Sequence, residues 1–183
     1  MLGIHATITN HLRFMIANWV LGNSKPFYVR NPLTRLPTRE AFDVAMREGG
    51  YIALFVDLDN LKEINQKHGY HAGDTAIKAV ADSIIHHVRK TDLVSHWGGD
   101  EFAVLLYDTS KDDAKDIAGR ILTHINQLGY QLSIGIGYSV EAAQFSQQIA
   151  KGWGKNQVSS FSSKLPSSYE PNQHHYQFIP FNL

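Results

Sequence analysis

Runs of apolar and polar residues divide most of the chain into strands and helices. The stretch YIALFVDLD at 51–59 is almost continuously apolar, which predicts a buried central strand. Residues 92–97 and 101–108 predict the two strands of a hairpin, and 130–140 predicts a further strand. Helical spacing of apolar residues predicts helices at 38–46, on both sides of a loop at Gly69–Gly73, at 110–129 and at 140–156. The order from the central strand onward is β-α-α-β-β-α-β-α, which predicts an α+β fold: a mixed sheet with helices mainly on one face.

The two ends of the chain differ from its middle. Residues 1–30 contain an apolar stretch, His11 to Gly22, that is too short to span a bilayer and predicts an amphipathic helix at Leu12 to Leu21. We expect this helix to dock on the domain or to pair two copies, and we do not expect contact with a membrane. From Ser159 the composition becomes polar and then aromatic, which predicts a tail at 162–183.

Composition narrows the choice of partners. Lysine and arginine number 17 and aspartate and glutamate number 17, so no overall field attracts DNA, RNA or an anionic membrane. The absence of cysteine excludes disulfides and thiolate metal sites, and it fits a reducing cytoplasm. A chain of 183 residues that is 43% hydrophobic is large enough for one well-buried core.

Two acidic pairs are the strongest candidates for chemistry. Asp57 and Asp59 end the predicted central strand, where period-two geometry points both side chains to one face. In the sequence Gly98-Gly99-Asp100-Glu101, the glycines allow a tight turn and the close approach of a ligand. If the hairpin lies beside the central strand, Asp100 or Glu101 comes near Asp57, and a cation must then offset the repulsion between carboxylates. Hard oxygen ligands favour Mg²⁺ or Mn²⁺, which usually hold phosphates.

Several further motifs accompany these acids. GGDEF at 98–102 resembles the signature of the GGDEF family, the diguanylate cyclases. The resemblance extends from Asn31 to Phe161 through NPLTRLPTRE, FVDLDNLKEINQKHGYHAGD, RKTD and LSIGIG, which occur in the family's order. It implies a palm-like nucleotidyl cyclase fold and a homodimer in which each subunit holds one GTP. It also implies the condensation of two GTP into cyclic di-GMP, with release of two pyrophosphates.

The resemblance implies a role for each matching residue. Two Mg²⁺ or Mn²⁺ ions per site would be held by Asp57, the carbonyl group of Leu58, Asp100 and Glu101. Asp100 and Glu101 are the catalytic candidates, with Glu101 assisting deprotonation of the 3′-hydroxyl group. The positions expected to bind GTP are backbone groups, residues that read the guanine edge, and lysines for the phosphates: Asp59, Asn60, Leu61, Lys62, Asn65, Asp74, Gly98, Gly99, Lys151 and Lys155.

Arg89 and Asp92 in RKTD match an inhibitory site where the product, cyclic di-GMP, binds away from the catalytic site.

Taken without the family context, most of the candidate residues have plainer interpretations. Arg89 and Asp92 would be a surface ion pair, Asn65 a helix surface residue and Asp74 a helix N-cap. Lysines at 151 and 155 would be solvated.

Some positions depart from the family's pattern. Asn31 stands where the family has Asp, and His96 where it has Arg, so a salt bridge between these positions is lost. Tyr70 replaces a His, and Gln144 and Gln148 replace an Asp and a Tyr. The leading hypothesis is a cytoplasmic, homodimeric diguanylate cyclase of full or reduced activity. The alternatives are a catalytically weak or inactive receptor for cyclic di-GMP or GTP, and a nucleotidyltransferase that makes another product.

Overall fold

The structure is a computed structural model that describes residues 30–45 and 50–160. In this part of the chain five helices and five strands follow one another: α1 (Arg39–Ala45), β1 (Tyr51–Leu58), α2 (Leu61–His68), α3 (Tyr70–His87), β2 (Leu93–Gly98), β3 (Glu101–Tyr107), α4 (Lys111–Gln127), β4 (Leu132–Gly137), α5 (Val140–Gly152) and β5 (Gln157–Ser160). The predicted order of elements is confirmed, with one strand added at its end. The helix predicted at Leu12 to Leu21 and the tail at 162–183 lie outside the described residues.

The five strands form one mixed sheet in the order β2-β3-β1-β4-β5. Strand β1 lies in the centre and pairs antiparallel with both β3 and β4, while β5 is parallel to β4. All residues of β1 after Tyr51 are buried. A strand that is covered on both faces has no polar side to present to water, which explains its nearly continuous apolar sequence.

Helices cover both faces of the sheet. Alternate residues of β1 divide between the two faces, because successive side chains of a strand point in opposite directions. Leu54 and Val56 belong to a core formed with α3 and α4, whereas Ala53 and Phe55 belong to a second core formed with α1 and α5. The expectation that the helices lie mainly on one face is therefore wrong, since an apolar pattern on both faces of β1 requires cover on both.

Two further local predictions need correction. The predicted loop at Gly69–Gly73 is almost entirely helical, because α3 begins at Tyr70 and only Gly69, with a φ of 82°, separates it from α2. Strand β5 was not predicted. Its sequence QVSS is short and polar, as is common for a strand at the edge of a sheet.

Helix α5 lies directly on β4, where glycine permits the contact. A Cβ atom added to Gly135 would lie 1.9 Å from the carbonyl oxygen of Ala143 and 2.2 Å from the backbone nitrogen of Gln147. These are backbone atoms that cannot move aside without moving the helix. The close packing fixes the path of α5, whose last turn carries Lys151 towards the end of β1.

Candidate functional site

The end of β1 meets the tip of the β2–β3 hairpin. The strands of the hairpin are joined by Gly99 and Asp100, and Gly99 has a φ of 56°, which favours glycine. Glu101 pairs with Asp57 across the ladder, and the backbone nitrogen of Leu58 donates a hydrogen bond of 3.1 Å to the carbonyl oxygen of Asp100. The prediction that the hairpin lies beside the central strand is confirmed.

Asp57 is the most perturbed carboxylate at this junction. The residue is only 3% exposed, and its Oδ2 accepts a 2.6 Å hydrogen bond from the Nζ of Lys151. Its Oδ1 is buried, and the described part of the chain supplies it with no hydrogen-bond partner. Burial raises the pKa of Asp57 to about 6, against the opposing effect of Lys151, and the charges of Asp100 and Glu101 raise it further.

Glu101 shares this environment. Burial raises the pKa of its carboxyl group, and the neighbouring charge of Asp100 raises it further, while Lys151 and Arg39 lower it. Three acidic side chains therefore influence one another at a place where water is partly excluded. Such an arrangement is unfavourable unless positive charge is nearby, and Lys151 supplies one charge.

This donor set suits a hard divalent cation that also binds phosphate. Within residues 30–45 and 50–160, no three histidine, cysteine or acidic side chains are already gathered so that they could hold a metal ion by themselves. Mg²⁺ is usually held by only one or two carboxylates, with phosphate oxygens and water completing its coordination. The unpartnered Oδ1 of Asp57 fits such a partial set of ligands.

Asp59 has a different environment from Asp57. The hydroxyl group of Ser133 donates to both of its carboxylate oxygens, at 2.9 and 3.0 Å, and the backbone nitrogen of Asn156 donates to Oδ2 at 2.9 Å. The backbone nitrogen of Asp59 donates to the carbonyl oxygen of Gln131. That N–H group is not available to a phosphate, which corrects the prediction for Asp59. Its side chain instead ties the segment after α5 to the end of β1.

The amide groups of Asn60, Leu61 and Lys62 lie at the amino end of α2, where the first N–H groups of a helix have no partner within it. Hydrogen bonding within the turn begins at Glu63, whose backbone nitrogen donates to the carbonyl oxygen of Asn60. Asn60 has a φ of 63°, in the left-handed region, and the chain changes direction there between β1 and α2. This is the geometry of an anion site at a helix amino end. The sequence assigned the backbone amides of Asp59 to Leu61 and the side chain of Lys62 to phosphate, and phosphate binding there stays a prediction.

A cleft of about 430 Å³ opens beside the hairpin tip. Its lining combines the start of α2, the start of α3 and one hairpin acid: Leu61, Lys62, Asn65, Gln66, Tyr70 and Asp100. The Oδ1 of Asn65 is buried without a partner in the described structure. A Cβ atom on Gly73 would lie 2.0 Å from this oxygen, so glycine there makes room for the Asn65 side chain. The volume lies within the range of small-molecule sites.

Not every predicted binding residue lines this cleft. Asp74 is exposed and outside the lining. It lies within α3, whose N-cap is Gly69, so the plainer interpretation of Asp74 as an N-cap is wrong. Tyr70, noted in the sequence as a departure, does line the cleft and is 82% exposed.

Lys151 and Lys155 both point towards the end of β1. Lys151 contacts Asp57, and the Nζ of Lys155 donates a 2.7 Å hydrogen bond to the Oδ1 of Asn60. Both lysines therefore lie at the candidate site. Sequence reasoning grouped them with phosphate binding and missed the ion pair between Lys151 and Asp57.

Arg89 and Asp92 lie at the other end of β2. Asp92 is buried, and its Oδ2 and Oδ1 accept hydrogen bonds from the backbone nitrogens of Arg89, at 2.8 Å, and Tyr107, at 3.2 Å. Burial raises its pKa, against the effect of these hydrogen bonds. Arg89 is exposed. Asp92 thus orders the turn into β2. The six residues of β2 separate it from the hairpin tip, which corresponds to roughly 20 Å at about 3.3 Å per residue.

Two other buried contacts at the site were not predicted. His96 is 4% exposed and hydrogen bonds through its two ring nitrogens to Thr34 and to the carbonyl oxygen of Gly99. Asn31 accepts hydrogen bonds from the backbone nitrogens of Leu33 and Thr34. The sequence noted Asn31 and His96 only as a lost salt bridge, because nothing local in it points to Thr34, which lies 62 residues from His96.

No helix among residues 30–45 and 50–160 is long and apolar enough to cross a membrane.

A sheet of this topology, with acids on the central strand and on the adjoining hairpin turn, defines a nucleotidyl cyclase type of fold. The model of the family described as "Diguanylate cyclase, GGDEF domain" matches residues 29–149. The chain therefore belongs to the GGDEF domain family.

Curated relatives and solved structures agree with this assignment. The chain is 36% identical over 110 residues to the bifunctional diguanylate cyclase/cyclic di-GMP phosphodiesterase MucR of Pseudomonas aeruginosa, covering 55% of this chain and 16% of MucR. It is 41% identical over 113 residues to the diguanylate cyclase TpbB of Pseudomonas aeruginosa, covering 56% of this chain and 26% of TpbB. The chain thus spans a small part of these relatives.

Among solved structures, the isolated GGDEF domain of TpbB from Pseudomonas aeruginosa is similar, with a TM-score of 0.62 and 31% identity over 72% of this chain and 93% of that one. A microbial GGDEF domain studied for its interaction with cyclic di-GMP has a TM-score of 0.65 and 26% identity, over 73% and 99% of the two chains. The palm-like α+β fold expected from the sequence is confirmed by these neighbours.

Proposed function

We propose that this chain is a diguanylate cyclase, which condenses two GTP into cyclic di-GMP and releases two pyrophosphates. The observation that carries the proposal is the junction of β1 and the hairpin. It brings Asp57 opposite Glu101, next to Asp100, and leaves one buried oxygen of Asp57 unpartnered. Neighbouring carboxylates are stabilised by positive charge, of which Lys151 supplies one, and a cation bound there would also attract the triphosphate of a nucleotide.

The residues divide into three groups by what they would bind. Asp57, the carbonyl group of Leu58, Asp100 and Glu101 would hold up to two Mg²⁺ or Mn²⁺ ions. When bound, such ions neutralise phosphate charge and lower the pKa of a hydroxyl group that they contact. The amino end of α2, together with Lys62, Lys151 and Lys155, would bind the phosphates.

The guanine base would enter the cleft lined by Asn65 and Tyr70. The unpartnered oxygen of Asn65 can accept a hydrogen bond from an N–H group of the base. Asp74, which is exposed nearby on α3, would accept from the guanine N1–H and amino groups, a pattern that adenine does not offer.

In the reaction, the 3′-oxygen of one GTP attacks the α-phosphorus of the other as the bond to pyrophosphate breaks. Glu101 would receive or orient the proton of the hydroxyl group. Its position opposite Asp57 and next to Asp100 supports this role, and a bound cation would lower the pKa of the hydroxyl group that loses the proton. Two such bonds close the ring, so two domains must face each other, and we propose a homodimer.

Arg89 and Asp92 remain a proposed site for product inhibition. The exposed guanidinium group of Arg89 is suited to stack on guanine or to pair with phosphate, while Asp92 holds the turn that presents it. The cytoplasmic location remains a prediction.

The test is to incubate the purified chain with GTP and Mg²⁺ and to identify the products by chromatography and mass spectrometry. We expect cyclic di-GMP and pyrophosphate in a ratio of one to two. Asp100→Ala should abolish turnover without unfolding the domain. Asp82→Ala, at an exposed acid on α3, is the control and should behave as wild type.

A dimeric preparation that forms no cyclic product would overturn the proposal. If such a preparation still binds cyclic di-GMP or GTP, the receptor alternative is favoured instead. Retained turnover in Asp100→Ala would reject the role of Asp100, and a different product would favour another nucleotidyltransferase.

A further inference from the structure

His96 connects the turn that precedes α1 with the tip of the hairpin. Its Nε2 lies 2.9 Å from the carbonyl oxygen of Gly99, and its Nδ1 lies 3.1 Å from the Oγ1 of Thr34. Thr34 belongs to a turn closed by Asn31, whose Oδ1 accepts from the backbone nitrogens of Leu33, at 2.8 Å, and Thr34, at 3.1 Å. The imidazole ring is thus a bridge between two segments that are 62 residues apart.

The contacts assign the protonation of the ring. A carbonyl oxygen can only accept, so the Nε2 of His96 must carry a hydrogen and donate to Gly99. The hydroxyl group of Thr34 accepts from the backbone nitrogen of Leu36 at 3.4 Å, and it can donate its own hydrogen to the Nδ1 of His96. A neutral ring protonated at Nε2 satisfies every one of these groups. Burial also lowers the pKa of His96, which favours the neutral form.

The position of the ring is tightly determined. His96 is 4% exposed, and its ring packs on Phe102 with centroids 4.8 Å apart. Its backbone nitrogen donates to the carbonyl oxygen of Pro37 at 2.9 Å. A side chain that is held by packing and by hydrogen bonds at both nitrogens has little freedom to move, so it also restricts the position of the groups to which it is hydrogen bonded.

The group that His96 contacts belongs to the candidate site. The carbonyl group of Gly99 and the backbone nitrogen of Asp100 form one rigid peptide plane. Holding that carbonyl oxygen therefore sets the direction in which Asp100 leaves the turn. On its other side Asp100 is fixed to β1 through the hydrogen bond from Leu58.

We propose that His96 is a positioning residue, which fixes the Gly99–Asp100 peptide through its Nε2 and so places the Asp100 carboxylate for the metal and the reacting phosphate. The inference rests on the proposed function for its catalytic consequence. The alternative is that His96 merely stabilises the fold.

Two amide substitutions separate these roles. In His96→Gln the side-chain amide nitrogen can reach the place of Nε2 and keep the hydrogen bond to Gly99, but the bond to Thr34 is lost. In His96→Asn the side-chain oxygen can occupy the place of Nδ1 and keep the contact with Thr34, but the bond to Gly99 is lost. Each variant sacrifices one of the two ring hydrogen bonds, so a purely structural role predicts a loss of stability in both and no difference between them in kcat per folded molecule.

The matched control is Ser95→Ala. The hydroxyl group of Ser95 donates to the same Pro37 carbonyl oxygen at 3.1 Å and is fully buried, but it contacts no residue of the hairpin tip. Ser95→Ala therefore removes a hydrogen bond to Pro37, in the segment before α1, but keeps the bond between His96 and Gly99. We expect Ser95→Ala to lose stability and to keep the wild-type kcat.

Steady-state kinetics with GTP and Mg²⁺ should show kcat reduced roughly 10- to 100-fold in His96→Asn, the range for a small displacement of a reacting group. The KM for GTP should change little, because the cleft is not touched. His96→Gln should retain most of the wild-type kcat. If His96→Asn does not fold, His96→Met, which pairs with neither Thr34 nor Gly99, should show the same loss. Activities are compared per folded molecule, measured by urea unfolding.

Two measurements remain informative even if no cyclic di-GMP is formed. Hydrogen exchange of the Asp100 amide, and the affinity for Mn²⁺ alone, should be altered in His96→Asn and close to wild type in His96→Gln and Ser95→Ala. Equal effects of His96→Asn and His96→Gln, or an equal effect of Ser95→Ala, would overturn the positioning role. A wild type without cyclase activity that keeps this difference between variants would instead reject only the proposed function.

Discussion

Replacing Asp57 by Asn is expected to stabilise the folded protein while it removes a proposed metal ligand. Asp57 is 3% exposed, and burial raises its pKa from 3.8 to about 6. A tenfold change in an acid constant corresponds to about 1.36 kcal/mol, so the ionised carboxylate costs the folded protein about 3 kcal/mol at neutral pH. Asn removes this charge and keeps an oxygen for Lys151. Burying the new amide group offsets part of the gain, which leaves a net stabilisation of about 1–2 kcal/mol.

The sign of the pH dependence follows from the same shift. The pKa of Asp57 in the folded protein lies above its unfolded value, so the folded state binds the proton more tightly. The penalty is complete above about pH 6 and disappears as the pH falls towards 3.8. The advantage of Asp57→Asn should therefore be largest at neutral pH and should vanish near pH 4.

The assay is urea unfolding in the presence of EDTA, followed by circular dichroism at both pH values. Asp59→Asn is the matched control, because Asp59 is equally buried but accepts hydrogen bonds from Ser133 and Asn156. An amide nitrogen in its place would face one of those donors, and we expect a loss of about 1–3 kcal/mol. A loss of stability in Asp57→Asn, similar to that in Asp59→Asn, would refute the reasoning about the carboxylate cluster.

Three further predictions concern packing, the turn at β2 and the cleft. Gly135→Ala should destabilise the domain by about 3 kcal/mol or more, because the added Cβ would collide with backbone atoms of α5. The control is Gly119→Ala in α4, where an added Cβ meets nothing within 4 Å, and it should stabilise the domain by about 0.5–1 kcal/mol. Thermal unfolding measures both changes. Asp92→Ala should cost about 2 kcal/mol by leaving two backbone N–H groups without their acceptor, which chemical unfolding measures. Asn65→Ala should raise the KM for GTP roughly three- to tenfold without changing the fold, as kinetics and circular dichroism would show.

Local patterns were sufficient to predict the centre of the fold. Strand β1 was recognisable from its continuous apolar run, and the hairpin from two strand-like segments around Gly98 and Gly99. Their mutual position was assumed rather than derived: if the hairpin lay beside the strand, carboxylates on both elements would share a cation. The structure gives the register itself, with Glu101 opposite Asp57.

The features that were missed depend on partners far away in the chain. Strand β5 is short and polar, and it is ordered by its parallel pairing with β4 rather than by its own sequence. Cover on both faces could have been inferred from the continuous apolar run of β1. Which helix lies on which face depends on the side of the sheet that each connection crosses, and periodicity does not encode that side. The contact between Lys151 and Asp57 spans 94 residues, and neither residue carries a local signal of the other.

The replacement of the family's Arg by His96 has a physical explanation only in the structure. A buried histidine would ordinarily suggest a core residue or a ligand. Here its two ring nitrogens join Thr34 to Gly99, so a neutral bridge lies where the sequence suggested only a lost ion pair.

The central claim, that the end of β1 and the hairpin tip together hold a divalent cation for a guanine nucleotide, can be measured directly. Crystals of the chain grown with Mn²⁺ and a nonhydrolysable GTP analogue would reveal the ion by its anomalous scattering. We expect a peak between the Asp57 and Asp100 side chains, in contact with the phosphates. A peak elsewhere, or a bound analogue whose phosphates lie away from these two carboxylates, would contradict it.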